Sequence, residues 1–159
     1  MGAKKKHVPG CGCCAESECL ACGSSTPTDQ YQVDLANFAN NNCLSCTNLN
    51  GTHVLDFHSS YTSGGSQICR WFKAISIGSG SCANYEIRLY FERVISSGVA
   101  ILTCDIFNES LPASARIFTK NYGVADIPCG TLSAESLTRG AGGSQCANVG
   151  TESCLVTAI

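Results

Sequence analysis

The sequence predicts an all-β fold, an antiparallel β-sandwich or small barrel of about seven strands with a cysteine-rich amino-terminal arm. Three observations support this prediction. From residue 29 onward, short runs of alternating apolar and polar residues follow one another, turn residues separate them roughly every 8–12 residues, and Gly, Ser, Thr and Asn are abundant. An open β-meander with loops is the alternative.

Residues 1–28 differ in composition from the rest of the chain. After Lys4, Lys5 and Lys6 the block has almost no apolar residue except its five cysteines, which are Cys11, Cys13, Cys14, Cys19 and Cys22. A segment of this kind cannot fold by burying apolar surface alone. We expect an arm that is cross-linked, metal-bound or laid on a partner, and we expect 29–159 to form the β domain.

The clearest predicted strand is 85–92. Its one face carries Tyr85, Ile87, Leu89 and Phe91, and its other face carries charged residues, as in an antiparallel sheet with one wet side. The remaining predicted strands have the same period or are apolar throughout, and they are 31–35, 53–57, 68–77, 99–107, 115–119 and 152–159.

The stretch 43–71 is predicted to be a β-hairpin pinned by cysteines at both ends. Two β-type runs flank a loop in which Gly64 and Gly65 supply the turn, and the second run ends at the only tryptophan, Trp71. Farther along, 122–150 is rich in loop residues, with a short helix possible at 133–138.

Charge and hydropathy exclude several classes of partner. Only 14% of the residues are charged and the formal net charge is −2, so the chain lacks the field that gathers nucleic acid or acidic lipid. No apolar run approaches the roughly 18–20 residues of a membrane span. The positive segment 1–7 has no apolar segment behind it. We therefore expect no secretory signal and synthesis in a cytoplasm.

The thirteen cysteines conflict with a cytoplasmic location, where thiols stay reduced. Two Cys-x-x-Cys pairs have the spacing of a zinc ribbon, which makes Cys19, Cys22, Cys43 and Cys46 candidate ligands of a structural zinc ion. The alternative is that they form separate disulfide or thiol sets after the protein leaves the cell.

The later cysteines are predicted to pair. The expected pairs are Cys69 with Cys82, Cys129 with Cys146, and Cys104 with Cys154. For the last pair, buried free thiols that pack as small apolar groups are the alternative. Since thirteen is odd, at least one thiol is free, intermolecular or metal-bound.

The sequence offers little for catalysis. On a strand, His53 and His58 point to opposite faces, so they cannot bind one metal ion together, and only Asp56 shares a side with His58. The chain also lacks a G-x-S-x-G nucleophile and a phosphate-binding glycine loop. We expect a protein that is not an enzyme.

Several short motifs resemble those of a group of small cysteine-rich β proteins encoded by tailed phages and planctomycete-like bacteria. They are Cys11-Gly12-Cys13-Cys14, Cys43-x-x-Cys46 followed by Leu49-Asn50-Gly51-Thr52-x-x-Leu55, Cys69-x-Trp71, Cys82, and the end from Cys129 through Cys146 to 155–159. His53 departs from the pattern, which more often has an aromatic residue there. The resemblance implies a cysteine-stapled β module near virion or surface structures, with no catalytic residue.

Together these features predict a non-enzymatic structural protein of a phage-like particle, made in the host cytoplasm and released by lysis, in the tail or adsorption apparatus. Its expected partners are other virion structural proteins and repeated copies of itself. The alternatives are a capsid decoration protein, a cytosolic zinc or thiol module, and a β-sandwich that binds a host-surface glycan through exposed Tyr61, Trp71, Tyr85 or Tyr122.

Overall fold

The computed structural model describes residues 30–110, 114–128, 130–141 and 146–159, which form one antiparallel sheet of nine strands. The strands are β1 (Gln30–Ala36), β2 (Gly51–Ser63), β3 (Ser66–Ser76), β4 (Asn84–Val94), β5 (Ala100–Asn108), β6 (Ala115–Val124), β7 (Glu135–Ser136), β8 (Thr138–Arg139) and β9 (Ser153–Ala158). Their order across the sheet is β7-β9-β1-β2-β3-β4-β5-β6-β8.

The two edges of the sheet meet, so it is nearly closed like a barrel. At one edge β7 pairs with β9, and at the other β8 pairs with β6. Only Leu137 separates β7 from β8 in the chain. We call this region, where β7, Leu137 and β8 bridge β9 to β6, the closing seam. The hydroxyl of Tyr122 on β6 also crosses it, donating to the carbonyl oxygen of Cys154 on β9 at 2.8 Å.

Large apolar side chains fill the inside of the barrel. In β4 the alternating residues Tyr85, Ile87, Leu89 and Phe91 are all buried. Trp71 on β3 is fully buried, and its ring meets the edge of the Tyr31 ring with 4.9 Å between centroids. The period-2 pattern of the sequence thus gives one dry and one wet face, and the dry face forms the core.

The predicted fold class and all seven predicted strands are confirmed. The turn of the pinned hairpin is confirmed as well, since Gly64 and Gly65 have φ angles of 58° and 81°, the left-handed values that a two-residue hairpin turn requires. The prediction that 133–138 could form a short helix is wrong. This segment instead forms β7 and β8, because the backbone N–H of Leu137 bonds the carbonyl oxygen of Glu152 at 2.7 Å. The arm at 1–28 lies outside the described residues.

Candidate functional site

Exposed apolar side chains gather at one end of the barrel, around the turn between β4 and β5. Eight large apolar residues of the described part of the chain are exposed, and four of them lie here. We call these four residues, Val94, Ile95, Val99 and Ile101, the hairpin-end patch. Single exposed apolar residues are ordinary, whereas a contiguous group marks an interaction surface.

Backbone hydrogen bonds hold the hairpin-end patch in place. The N–H of Val94 donates to the carbonyl oxygen of Val99 at 2.9 Å, and Gly98, with a φ of 71°, makes the tight turn between them. The N–H of Ile95 donates to the carbonyl oxygen of Gly65 at 3.0 Å, so this turn rests on the neighbouring β2–β3 turn. The patch is therefore presented on a supported hairpin.

Charges stand at the rim of the hairpin-end patch. Glu92 is exposed beside it, and Arg93 is paired with the exposed Asp126. An apolar centre with a polar rim is the usual arrangement of a protein–protein contact. This surface was not predicted from the sequence, although two apolar pairs flanking Ser96-Ser97-Gly98 are the signal for it.

Two disulfides fix the loops at the opposite side of the described structure. Cys43 is bonded to Cys82, and Cys46 is bonded to Cys146, each with 5.6 Å between the two Cα atoms. The predicted pairing of Cys69 with Cys82 is therefore wrong.

The predicted pairing of Cys129 with Cys146 is also wrong, since Cys146 is bonded to Cys46. Sequence proximity misled both predictions. The loop before β2 lies against the loop before β9, where Asn40 forms a β-bridge with Cys146 and the N–H of Ala147 donates to the carbonyl oxygen of Ala39 at 3.0 Å. Cys69 is disulfide-bonded too, to a cysteine other than Cys82.

The predicted zinc ligands are only partly visible. Cys43 and Cys46 form disulfides with other cysteines, so neither offers a thiolate in this state. Cys19 and Cys22 lie outside the described residues. A zinc site made of all four stays a prediction, and it requires that both disulfides be reduced.

A surface cavity of about 530 Å³ lies beside Cys82. Its lining is neutral, and two of its polar side chains already bond the backbone: Ser45 donates to the carbonyl oxygen of Cys82 at 3.0 Å, and Asn48 donates to that of Ile77 at 2.9 Å. Since these groups hold the loops together, they are not arranged to converge on a ligand.

The histidines of β2 have ordinary surroundings. Nε2 of His53 lies 2.8 Å from the carbonyl oxygen of Leu49, and Nδ1 of His58 lies 2.9 Å from the hydroxyl of Ser59. Within the described ranges, no group of three or more His, Cys, Asp or Glu residues is placed to hold a metal ion. In the same ranges, no helix has the length and apolar character needed to cross a bilayer.

Three of the four aromatic residues proposed as glycan platforms are in the core. Trp71 is 0% exposed, Tyr85 is 1% exposed and Tyr122 is 7% exposed. The prediction that these rings are available for stacking is wrong, because each belongs to the inward face of its strand. Tyr61 alone of the four is exposed.

Cys104 of β5 and Cys154 of β9 meet inside the barrel as free thiols. Both are fully buried, and their Sγ atoms lie 3.2 Å apart. Their hydrogen bond and burial raise the pKa of Cys104 well above its usual value. The same hydrogen bond lowers the pKa of Cys154. The two predicted partners do meet, but they are unbonded in this structure, so the alternative of buried free thiols is what it shows.

No family model, curated protein or solved structure matches the chain. The resemblance to cysteine-rich phage proteins therefore stays a prediction, and any assignment of function rests on the geometry of the described residues.

Proposed function

We propose that this chain is a non-enzymatic structural protein of a phage-like particle, a component of its tail or adsorption apparatus. The observation that carries the proposal is a filled, disulfide-linked barrel that presents the hairpin-end patch at one end. Such a molecule is rigid, and its interaction surface is on the outside.

The filled core is what favours a structural role. Barrels that carry a small ligand keep an interior cavity, whereas here the inward positions are occupied by rings and branched side chains such as Trp71, Phe91 and Leu102. The sites left for function are on the surface. The described surface concentrates its exposed apolar groups around one turn.

The disulfides favour a protein that works outside the cell. Cross-links of this kind persist in oxidising surroundings and resist irreversible unfolding. A particle released by lysis meets those surroundings, and its components have no chaperone to refold them. Synthesis in the host cytoplasm and later oxidation are compatible in such a life cycle.

The hairpin-end patch is proposed to be the anchor on a neighbouring structural protein of the particle. Four side chains cannot supply the roughly 800 Å² per partner of a standard interface. The arm at 1–28 is proposed to add further contact area. Repeated copies in one particle would multiply a weak individual contact into stable attachment.

The proposal is tested on particles purified by density gradient from a lysate that produces this chain. We expect the chain to co-purify with the particles, and immunogold labelling to mark the tail. A chain that carries Ile95→Asp should fold but be lost from the particles, because a charge cannot be buried unpaired in an apolar contact. The matched control Leu44→Asp, which also replaces an exposed apolar side chain but lies in the disulfide-linked loops away from the hairpin-end patch, should remain on them.

Two results would contradict the proposal. Purified particles without the polypeptide would remove it altogether. Gold label on the head would contradict a place in the tail and support capsid decoration. Equal retention of the Ile95→Asp and Leu44→Asp chains would show that the hairpin-end patch is not the anchor.

A further inference from the structure

The two buried thiols are placed where a covalent bond would complete the barrel. Cys104 lies on β5 and Cys154 on β9, and these strands are not neighbours in the sheet. Between them lie β6 and the closing seam. A bond between their sulfur atoms would therefore join the two sides of the closing seam from inside.

Covalent joining needs little movement. The Sγ atoms are 3.2 Å apart, and a disulfide bond is about 2.05 Å long. In the described part of the chain, the other five cysteines are already disulfide-bonded. Cys104 and Cys154 are thus the one described pair of thiols that meet without a bond.

We infer that Cys104 and Cys154 form a modification site, at which a low-molecular-weight disulfide oxidises the two thiols to a disulfide that locks the closing seam. The chain is made with both thiols reduced, and the bond forms when the protein reaches an oxidising environment. This inference goes beyond the proposed function and does not depend on it.

The reaction is a pair of thiol–disulfide exchanges. The thiolate of Cys154 attacks one sulfur of the small disulfide, a mixed disulfide forms, and one small thiolate leaves. Cys104 then loses its proton and attacks Sγ of Cys154, which expels the second small thiolate. The protein loses two electrons and two protons, and the small disulfide is reduced to two thiols.

The order of attack depends on the surroundings of the thiols. The hydrogen bond between the two sulfur atoms lowers the pKa of Cys154, because the Cys104 thiol can donate to the Cys154 thiolate once it forms. The same contact and burial raise the pKa of Cys104. Cys154 is therefore the first nucleophile, and Cys104 stays protonated until the mixed disulfide is present.

An approach for the oxidant lies at the closing seam. A cavity of about 230 Å³ there is lined by residues that include Tyr122 and Glu135. Both are direct neighbours of Cys154, the first through the hydrogen bond of its hydroxyl and the second through strand pairing. The route that we propose for the oxidant therefore runs from this cavity past Tyr122 to Cys154, and it requires that the Tyr122 bond open.

The test treats the purified full chain, under native conditions, with oxidised glutathione. Aliquots are acid-quenched and denatured, free thiols are alkylated, and peptides are read by mass spectrometry. We expect two free thiols to disappear without retained glutathione and a cross-linked peptide pair to join Cys104 to Cys154. The chain after oxidation should also unfold at a higher denaturant concentration.

Variants test the mechanism. Cys104→Ser should accumulate glutathione on Cys154, because no second thiol remains to expel it. Tyr122→Phe removes a hydrogen bond that also lowers the pKa of Cys154, so its rate is compared with that of the native chain on the alkaline plateau, where the Cys154 thiol is ionised in both. There Tyr122→Phe should react about fivefold faster, which corresponds to the loss of one typical hydrogen bond at the closing seam. The exposed Tyr61→Phe should leave the rate unchanged.

Three results would overturn the inference. Two free thiols that persist in the native chain through prolonged treatment would show that the pair is not a site of oxidation. Glutathione stably retained by the native chain would show that the second exchange does not occur. An unchanged rate of Tyr122→Phe on the alkaline plateau would remove the route through the closing seam.

Discussion

Removal of the Cys46–Cys146 disulfide should cost more stability than removal of any other single feature of the loop region. This bond closes a sequence separation of 100 residues. With Cys43–Cys82 intact, the shorter route between the two positions runs through that bond and is roughly 70 residues long, for which the chain-entropy model gives about 4.4 kcal/mol. The double variant Cys46→Ala, Cys146→Ala should therefore lower the melting temperature by roughly 9–18 °C.

The measurement is guanidinium unfolding followed by the fluorescence of Trp71, which is the only tryptophan and is fully buried. The matched variant Cys43→Ala, Cys82→Ala opens a bond with a sequence separation of 39 residues, so it should lose at most about 3.9 kcal/mol. Both variants should keep the slope of the unfolding transition, which reports the surface exposed on unfolding.

The prediction fails if the free energy of unfolding of the Cys46–Cys146 variant falls by less than about 1 kcal/mol. The loop-closure entropy of the unfolded chain would then not be the main contribution of this disulfide to stability. The prediction also fails if the two variants rank in the opposite order. That ranking would place the cost in lost native packing, since both members of the Cys46–Cys146 pair are fully buried.

Three further predictions concern single side chains. Gly78→Ala should destabilise the protein by about 1–3 kcal/mol, because an added Cβ would overlap the backbone carbonyl oxygen of Cys82 and would lie 2.6 Å from Ser45 Oγ. Thermal melts measure this loss, and Gly123→Ala, which has open space around it, is the control. Burial raises the pKa of Tyr122, so its neutral hydroxyl contributes stability that is fully present below about pH 10 and is lost as the pH rises further. The free energy of unfolding in urea should therefore fall less at alkaline pH in Tyr122→Phe than in the native chain. Equal falls would contradict this. Asn50→Ala should lower the free energy of unfolding by about 1–3 kcal/mol in denaturant titrations. The reason is that the Asn50 amide accepts from the N–H of Phe38 at 2.8 Å and donates to the carbonyl oxygen of Phe38 at 3.0 Å. A loss below about 0.5 kcal/mol would contradict the assigned bonds.

The strands were predictable from the sequence because each has one buried face. Alternation in 85–92 marks the inward residues of β4, and the apolar stretch 99–107 marks β5, which has strands on both sides. The short strands β7 and β8 were not predictable. Each is two residues long. Their conformation is determined by pairing with β9 and β6, and their own sequence contributes little to it.

The hairpin-end patch was less accessible to prediction, for a physical reason. Ile101 continues the apolar pattern of β5, and a sequence cannot show which apolar residues of a strand face outward until the register is known. Its pairing with Glu92 on one side and Gly123 on the other places it on the wet face. The structure therefore separates Ile101 from the buried Leu102 that comes after it.

The cysteines show how one spacing can serve two chemistries. In a zinc ribbon, a Cys-x-x-Cys turn directs two thiolates at one ion. Here the same turn, with the N–H of Cys46 donating to the carbonyl oxygen of Cys43 at 3.4 Å, directs its sulfurs to two partners that are 39 and 100 residues away. The turn geometry is local, but the choice between one ion and two disulfides depends on which loops the barrel brings alongside. Closure of the sheet brings the loops of Cys82 and Cys146 to this turn, so the fold determines the cysteine chemistry.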